Sequence, residues 1–418
     1  MVNEQSKRKS VIKDSLFQIS AFDASDGNDS VDPNDVYTTI LKIPGIDNLL
    51  KTMNDSEMDD EKVKDMIKPI IDIHSAECKF YNNLAPIFDV PVPKVFNTLE
   101  WIIGKQDGCI HMEDLSQKGK VLSFFDGINL TQIKNVIRHL AHMHKNVLDT
   151  DETIWQGKYP PNPVGLDNFL DMLIPTIDIF YEKCKRKGLL CFKRAVTKWV
   201  PEVCKILIRC ERAVVILKGQ QELDVLYAFK SIFKKLGKII RNKSFYQYGF
   251  NNDEIKLKSV IIHGDLHLGN IMWEINKNGE VQNDIAAFID WQIMYEGSPM
   301  NDLARFLAMC GSGVIRRQAE EFAIDFYLEC LLKEFGGDAS KVPYTREQLK
   351  MSYDYVFVCH IVFIISAAIF FFADVKEPER SIRDAYWDSS ELKIFAACED
   401  AIRLLENEMK DIFEKFNN

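Results

Sequence analysis

His263-Gly264-Asp265-Leu266-His267-Leu268-Gly269-Asn270, followed twenty residues after Asn270 by Asp290 in Ile289-Asp290-Trp291, is the stretch on which the reading of this chain turns. Residues 259–262 ahead of it are short and apolar, as a strand would be, and residues 271–275 form a second strand-like run. Asn276-Lys277-Asn278-Gly279 marks a turn, because Asn-Gly accepts the positive φ angles of a tight hairpin. Residues 285–289 then return as the partner strand. In an antiparallel hairpin the start of the first strand lies beside the end of the second. Asn270 stands just before that start and Asp290 just after that end, so both side chains are predicted at one end of the hairpin, next to the loop of Asp265.

Such a placement suits one kind of chemistry. Transfer of a γ-phosphoryl group needs positioning and charge neutralisation by Mg2+. Mg2+ takes hard oxygen ligands, which an Asn amide and an Asp carboxylate supply, and a separate carboxylate has to orient the acceptor hydroxyl and take its proton. Asp265 fits the base, and Asn270 and Asp290 fit the metal ligands. Either Asp265 or Asn270 alone reads equally as a turn cap, a common use of Asx residues. The combined spacing with Asp290 at a strand end points to the site.

His-Gly-Asp-x-His-x-Gly-Asn followed by Ile-Asp-Trp resembles the aminoglycoside-phosphotransferase and choline-kinase-like superfamily, small-molecule relatives of protein kinases. Gly297-Ser298-Pro299-Met300-Asn301-Asp302-Leu303-Ala304-Arg305 extends the likeness, since that superfamily commonly follows its metal-binding Asp with Gly-x-Pro-x-x-Asp-Leu-Ala. The chain is most similar to the ecdysteroid-kinase-like and nematode-expanded branch. The resemblance runs from about Leu16 to the C-terminus and is strongest in the catalytic segment. It implies an α+β, protein-kinase-like bilobal fold: a small antiparallel-sheet N-lobe and a large, mostly helical C-lobe carrying the catalytic hairpin. It further implies that His263 supports the catalytic loop and that Asp302 anchors it from the following helix. Leu268 stands where the family pattern has Pro, so a looser loop backbone is expected there.

A kinase also needs a Lys on a strand against the nucleotide phosphates, held by a Glu on a helix. Tyr37-Thr38-Thr39-Ile40-Leu41-Lys42-Ile43-Pro44 is rich in β-formers and looks like the family's Leu-Lys-Ile-Pro strand, which nominates Lys42. Residues 70–81 carry apolar positions at helical spacing and resemble the helix whose Glu pairs with that Lys, which nominates Glu77. On chemistry alone, a solvent-facing Lys and Glu are equally good readings. Residues 92–96 suit the next strand. Cys109-Ile110-His111-Met112-Glu113-Asp114-Leu115 resembles the strand-to-hinge segment, where main-chain groups around Glu113 and Leu115 would hold an adenine ring.

The glycine-rich loop that covers phosphates in kinases has no counterpart: before Lys42 the only glycine is Gly27, in a polar turn. Residues 16–22 look like the lobe's second strand, which leaves little room for a first strand and such a loop.

With 418 residues the chain is long enough for two lobes, taken as 1–115 and 116–418 about the polar hinge Gln117-Lys118-Gly119-Lys120. A net charge of −10 argues against a nucleic-acid partner. Ten scattered cysteines without a Cys-x-x-Cys, and no apolar leader, give the expectation of a reducing, cytoplasmic setting. The oligomeric state is not legible. Residues 131–148 form a helix candidate, with Ile133, Val136, Ile137, Leu140 and Met143 along one face. Residues 155–163 must be a loop, and long helical stretches follow at about 166–240 and from Asp302 onward.

Candidate acceptor-pocket aromatics are Trp291, Tyr353, Tyr355, Tyr386 and Trp387, though aromatics at helical spacing are usually core and that is the leading reading of each. The 19 residues from Tyr355 to Ala373 lack Asp, Glu, Lys and Arg and reach transmembrane length, yet they carry His360, Cys359 and Ser366 and have no Lys/Arg flanks; a buried helix is expected rather than a membrane span. His139 and His142 share a helical face but have no ligand partner at zinc spacing in the sequence.

Three rivals remain to compare. A metallohydrolase would need an upstream Asp-x-His and a downstream Gly-Asn-His, which are missing. A protein kinase would follow Asp290 with Phe-Gly rather than Trp291-Gln292. A catalytically weak or inactive kinase-like binding protein fits the missing glycine loop but not the intact Asp265, Asn270 and Asp290. The expectation is therefore an ATP- and Mg2+-dependent phosphotransferase acting on a small-molecule hydroxyl.

Overall fold

The β-branched run around Lys42 forms β3 (Thr38–Pro44), the middle strand of a five-stranded antiparallel sheet. The strand order is β1 (Val11–Lys13), β2 (Phe17–Asp23), β3, β5 (Cys109–Glu113) and β4 (Val95–Leu99). A first strand is thus present after all, three residues long and paired Val11 to Ser20 through Lys13 to Gln18. The three residues that link it to β2, Asp14-Ser15-Leu16, contain no glycine. The computed structural model describes residues 11–13, 17–23, 38–45, 60–159, 169–184, 236–250, 255–373, 375–376 and 379–416. Gly27, much of the stretch 166–240 and the loop residues 160–163 lie outside the described residues.

Helix α1 (Asp60–Lys79) packs on this sheet and runs into one π-helical turn, Phe80–Leu84, which buries Phe80, Tyr81 and Leu84. Beyond β5 the chain turns: the N–H groups of Lys118 and Gly119 both donate to the carbonyl of Leu115, at 2.9 and 2.8 Å. The next strand, β6 (Gly119–Val121), joins a second sheet of order β6-β8-β9, with β8 (Ile271–Ile275) and β9 (Val281–Phe288) forming the expected hairpin. Its turn uses only half of the Asn-Gly signal: Gly279 takes φ +77° and donates its N–H to the Asn276 carbonyl at 2.9 Å, whereas Asn278 keeps a negative φ. A two-stranded pair, β7 (Val260–Ile262) with β10 (Tyr295–Gly297), completes the sheets that flank the loop of Asp265.

The remainder is mostly helical. Helix α2 (Leu130–Asp149) opens on a capping box between Asn129 and Gln132 and buries Ile133, Val136, Ile137, Leu140 and Met143, the face its periodicity predicts. Then come α3 (Asn301–Cys310), α4 (Gly313–Glu320), α5 (Ala323–Glu334), α6 (Arg346–Ala373) and α7 (Arg380–Glu406). By length and composition α6 could cross a membrane, but 78% of its apolar window is buried inside the protein. A helix apolar all round is what a core helix looks like, and α3 packs along it. The architecture is α+β, a small antiparallel sheet with a helix across it followed by a large helical part that carries the hairpin.

Candidate active site

Four segments meet at the end of the hairpin. The first is the loop 263–270 between β7 and β8. Asp302, at the second position of α3 and fully buried, clamps it: Oδ2 accepts the His263 N–H at 2.7 Å and Oδ1 accepts the Gly264 N–H at 2.9 Å. Burial pushes the Asp302 carboxyl upward against those donors. Gly264 sits at φ +81°, and a Cβ there would lie 2.4 Å from the Ile293 carbonyl, so only glycine suits the bend. The His263 ring bridges the loop to the hairpin, Nε2 donating to the Ile289 carbonyl at 2.9 Å and Nδ1 accepting the Asp265 N–H at 3.2 Å. His263 and Asp302 therefore sit where a loop support and an anchor would.

The same loop is tightly held at its other end. His267 Nδ1 accepts the Gly269 N–H at 3.0 Å, capping a turn of 3-10 helix at Leu268–Asn270. Leu268 is buried in the core. Where the family pattern has Pro, Leu268 is held by this cap and by burial. Asn270 commits Nδ2 to the Asp265 carbonyl at 2.9 Å, which leaves its Oδ1 as the atom able to meet a cation.

The hairpin brings Asp290 to this point. The Ile289 N–H donates to the Asn270 carbonyl at 3.0 Å, so the residues flanking the two strand ends are main-chain neighbours. Asp290 takes φ +68°, a left-handed conformation that non-glycine residues seldom adopt and that costs on the order of 1–3 kcal/mol. Such strain persists where the surroundings over-determine it. Here the carboxylate is held from both sides, with Oδ1 2.5 Å from Lys42 Nζ and Oδ2 accepting Gln292 Nε2 at 3.2 Å.

Lys42 and Glu77 come from β3 and α1, and Nζ to Oε2 is 2.7 Å with both residues buried. Burial works against the ammonium, but Asp290 and Glu77 outweigh it and Lys42 is raised above its ordinary value. Burial also pushes Glu77 up, to about 7, with Lys42 pulling the other way. Its second oxygen, Oε1, is buried without a hydrogen-bond partner among the described residues. Trp291 welds the two segments together: it stacks on Phe80, one turn past Glu77, at 3.9 Å and 7°, and lies against His263 at 4.6 Å.

The arrangement fits a divalent cation in chemistry and charge. One ammonium faces two carboxylates, which leaves an excess of negative charge beside Asn270 Oδ1, and all the available donors are hard oxygens. Among the described residues no group of three His, Cys, Asp or Glu could enclose a metal by itself. An ion held by Asn270 and Asp290 would have to complete its shell with water and phosphate oxygens, as Mg2+ characteristically does.

Asp265 shows what the sequence did not disclose. Its Oδ1 is held by the guanidinium of Arg305, from α3, and His267 Nε2 lies 3.7 Å from Oδ2. Burial alone raises an aspartate, yet Arg305 and His267 outweigh it and keep the carboxyl well below its usual range. Arg305 is buried against Phe363, 4.9 Å from the ring centre, and its Nε has no partner among the described residues. It ends the Asp-Leu-Ala-Arg run; one helical turn after Asp302 it faces the same loop, and that i, i+3 relation was the available signal.

At the hinge, the Glu113 N–H donates to the Lys94 carbonyl at 2.8 Å and its carboxylate binds Lys118 at 2.6 Å. The Leu115 carbonyl serves the turn described above. Of the nominated pocket aromatics, Trp291, Tyr353 and Trp387 are buried core residues, Tyr355 is half-buried, and Tyr386 reaches the surface.

Residues 217–409, under half of the chain, match a protein-family model described as Uncharacterized oxidoreductase dhs-27. The Caenorhabditis elegans protein of that name is 22% identical over 341 residues; the match takes in 80% of this chain but 36% of that longer protein. The uncharacterized kinase-like protein D1044.1 of Caenorhabditis elegans is 24% identical over 338 residues, covering 80% of this chain and 73% of its own length. Among solved structures, the GDP complex of wild-type aminoglycoside 2'-phosphotransferase-IIIa aligns over 95% of this chain and 94% of its own, at 11% identity and a TM-score of 0.40.

Proposed function

We propose that this protein transfers the terminal phosphoryl group of ATP to a hydroxyl of a small molecule. The observation that carries the proposal is the meeting of Lys42, Glu77 and Asp290 with the loop of Asp265 and Asn270. The kinase-like name of the second Caenorhabditis elegans relative supports it. The oxidoreductase name belongs to a protein of which this chain spans 36%.

In this reading the N-lobe, residues 1–115, holds the nucleotide, its base against the main chain at Glu113–Leu115 and its phosphates against Lys42. Glu77 fixes the position of the Lys42 ammonium, and Asn270 and Asp290 would hold Mg2+, which would supply charge neutralisation at the transferring phosphoryl group. Asp265 accepts a hydrogen bond from the acceptor hydroxyl and aims its oxygen at phosphorus. As the new O–P bond forms and the bond from the γ-phosphorus to its bridging oxygen breaks, the hydroxyl proton passes to Asp265. Arg305 keeps that carboxylate ionised and in one rotamer until then. Asp302 and His263 hold the loop that presents it.

ATP-dependent phosphorylation screened across a metabolite extract, with Asp265→Asn alongside, tests the reading. A phosphorylated product from wild type and not from the variant is expected. Product formed equally by both removes Asp265 as the base. No product, together with no thermal stabilisation by Mg-ATP, overturns the whole assignment in favour of a binding protein of another kind.

A further inference from the structure

Beside the catalytic loop runs a chain of aromatic rings that phosphoryl transfer does not itself require. His267, in contact with Asp265, meets Phe371 edge to face with ring centres 6.0 Å apart. Phe371 stacks on Phe124 at 5.6 Å and 25°, Phe124 meets Phe125 at 5.5 Å, and Phe125 meets Tyr386 at 5.0 Å. The four Phe and Tyr rings come from three separate elements: the segment after β6, the end of α6 and the start of α7. Phe124 is buried, whereas Phe371 and Tyr386 each leave 37% of their surface to solvent, and neighbouring Phe370 leaves 43%. This is a ledge of open aromatic surface whose inner end touches the catalytic loop, and apolar patches of that kind mark binding sites.

Its electrostatics narrow the occupant. The outer face of Phe124 is covered by Lys393, whose Nζ is 4.3 Å from the ring centre and donates to the Phe124 and Met309 carbonyls. Lys183 and Arg383 lie over Phe372, at 5.3 and 5.5 Å, and Lys183 lies over Trp387 as well. None of these three cations makes an ion pair with a carboxylate among the described residues, whereas Arg305 is paired with Asp265. A choline-like or aminoglycoside-like cation needs aromatic faces backed by acidic groups. Here the neighbouring faces of Phe124, Phe372 and Trp387 are already taken by the protein's own cations. A flat ring that stacks on Phe371 and carries no positive charge meets no such penalty.

We propose that the hydroxyl acceptor is an uncharged aromatic alcohol whose ring lies on the ledge of Phe371 and Tyr386, with its hydroxyl at Asp265. The proposal rests on the phosphotransferase reading for its reaction, in which the bonds made and broken are those given above. The ledge as a binding site stands apart from turnover.

Ligand-observed saturation-transfer NMR on the full chain, with 2-naphthalenemethanol, its saturated decahydro counterpart and choline as probes, separates the two. The naphthyl alcohol is expected to bind roughly three- to tenfold more tightly than the saturated alcohol, the range that aromatic stacking supplies, and choline not at all. Phe371→Ala is expected to abolish that preference while leaving stabilisation by Mg-ATP unchanged, and Tyr386→Ala offers a second exposed position with little risk to folding. Coupled measurement of ADP release should then show the naphthyl alcohol consumed in preference to choline. No binding of the naphthyl alcohol, tighter binding of the saturated alcohol or choline, or a preference unchanged in both variants overturns the proposal. Binding that depends on Phe371 without any ADP release leaves the ledge in place and overturns the phosphotransferase reading instead.

Discussion

Lys42 Nζ lies 2.5 Å from Oδ1 of Asp290, which is 248 residues further along the chain, and 2.7 Å from Oε2 of Glu77. One ammonium thus ties the central strand of the sheet, the helix behind it and the end of the β8–β9 hairpin. Removing one partner from a buried ion pair costs about 3–5 kcal/mol, because the remaining charge loses its compensation. Lys42→Met is expected to lower stability by about that amount and to abolish thermal stabilisation by Mg-ATP. Adding Glu77→Gln should recover much of the stability and none of the nucleotide response. Urea unfolding with and without Mg-ATP measures both, and full nucleotide stabilisation in the single variant would remove Lys42 from the phosphate site.

Asp302→Asn keeps the size of the side chain and spoils its chemistry. Two main-chain N–H groups, of His263 and Gly264, point at the carboxylate. An amide can accept from one and must turn its NH2 toward the other. The expected loss is about 1–3 kcal/mol for an N–H left unsatisfied in the interior. Because the loop presents Asp265, kcat should fall by about a hundredfold, as misplacement on the order of 1 Å does. The nucleotide KM should stay near its wild-type value, since Lys42 and Glu77 are untouched. Steady-state kinetics decide it: a rise in KM at unchanged kcat would place Asp302 in nucleotide binding instead.

Gly264→Ala and Gly279→Ala form a matched pair. Both residues have positive φ, +81° and +77°, so both substitutions carry the left-handed backbone cost of about 1–2 kcal/mol. Around Gly279 a Cβ meets nothing within 4 Å, whereas at Gly264 it meets the Ile293 carbonyl at 2.4 Å. The hairpin-turn variant should therefore lose only the backbone term and keep activity. The loop variant should lose more and be inactive. Thermal unfolding of the two proteins side by side checks this, and equal losses would mean that the contact at Ile293 relaxes freely.

The β8–β9 hairpin was legible because the loop before it, its strands and its turn lie within thirty residues, 261–290, so local rules fix where Asn270 and Asp290 emerge. Lys42 and Glu77 were legible through the resemblance, since charge and periodicity left a surface reading equally open. The short first strand was hidden because Val11–Lys13 is too brief for an alternating pattern to declare itself, and pairing with β2 alone defines it. Arg305 was hidden for another reason: an arginine on an amphipathic helix reads as solvated until the helix is known to be buried all round, as α3 is. Trp291 follows the core reading that the sequence left open beside the pocket one, but its partner was hidden, since Phe80, which stacks on it, lies 211 positions earlier.

His142 links the turn after Ala85–Phe88 to helix α5, and the link depends on pH. Its Nε2 is 3.2 Å from Oδ2 of Asp89 and its Nδ1 is 2.8 Å from Oε2 of Glu334, so both ring nitrogens need a proton to serve both carboxylates. The sequence held no acidic partner near His142, since both carboxylates arrive from distant elements. Partial burial opposes the imidazolium, but Glu334 and Asp89 outweigh it and raise the pKa above the ordinary 6.5. A base that binds its proton more tightly when folded stabilises the fold fully below its unfolded pKa, and that contribution is lost as pH rises through the folded value. His142→Gln should thus lower Tm most below about pH 6.5, and the gap to wild type should narrow as pH climbs past the raised folded pKa. The side chain is partly exposed, so salt should shrink the gap at low pH as well. Melting curves of both proteins across about pH 5 to 9, at low and high salt, test the link. A gap that stays constant with pH would show that His142 acts by packing and not by charge.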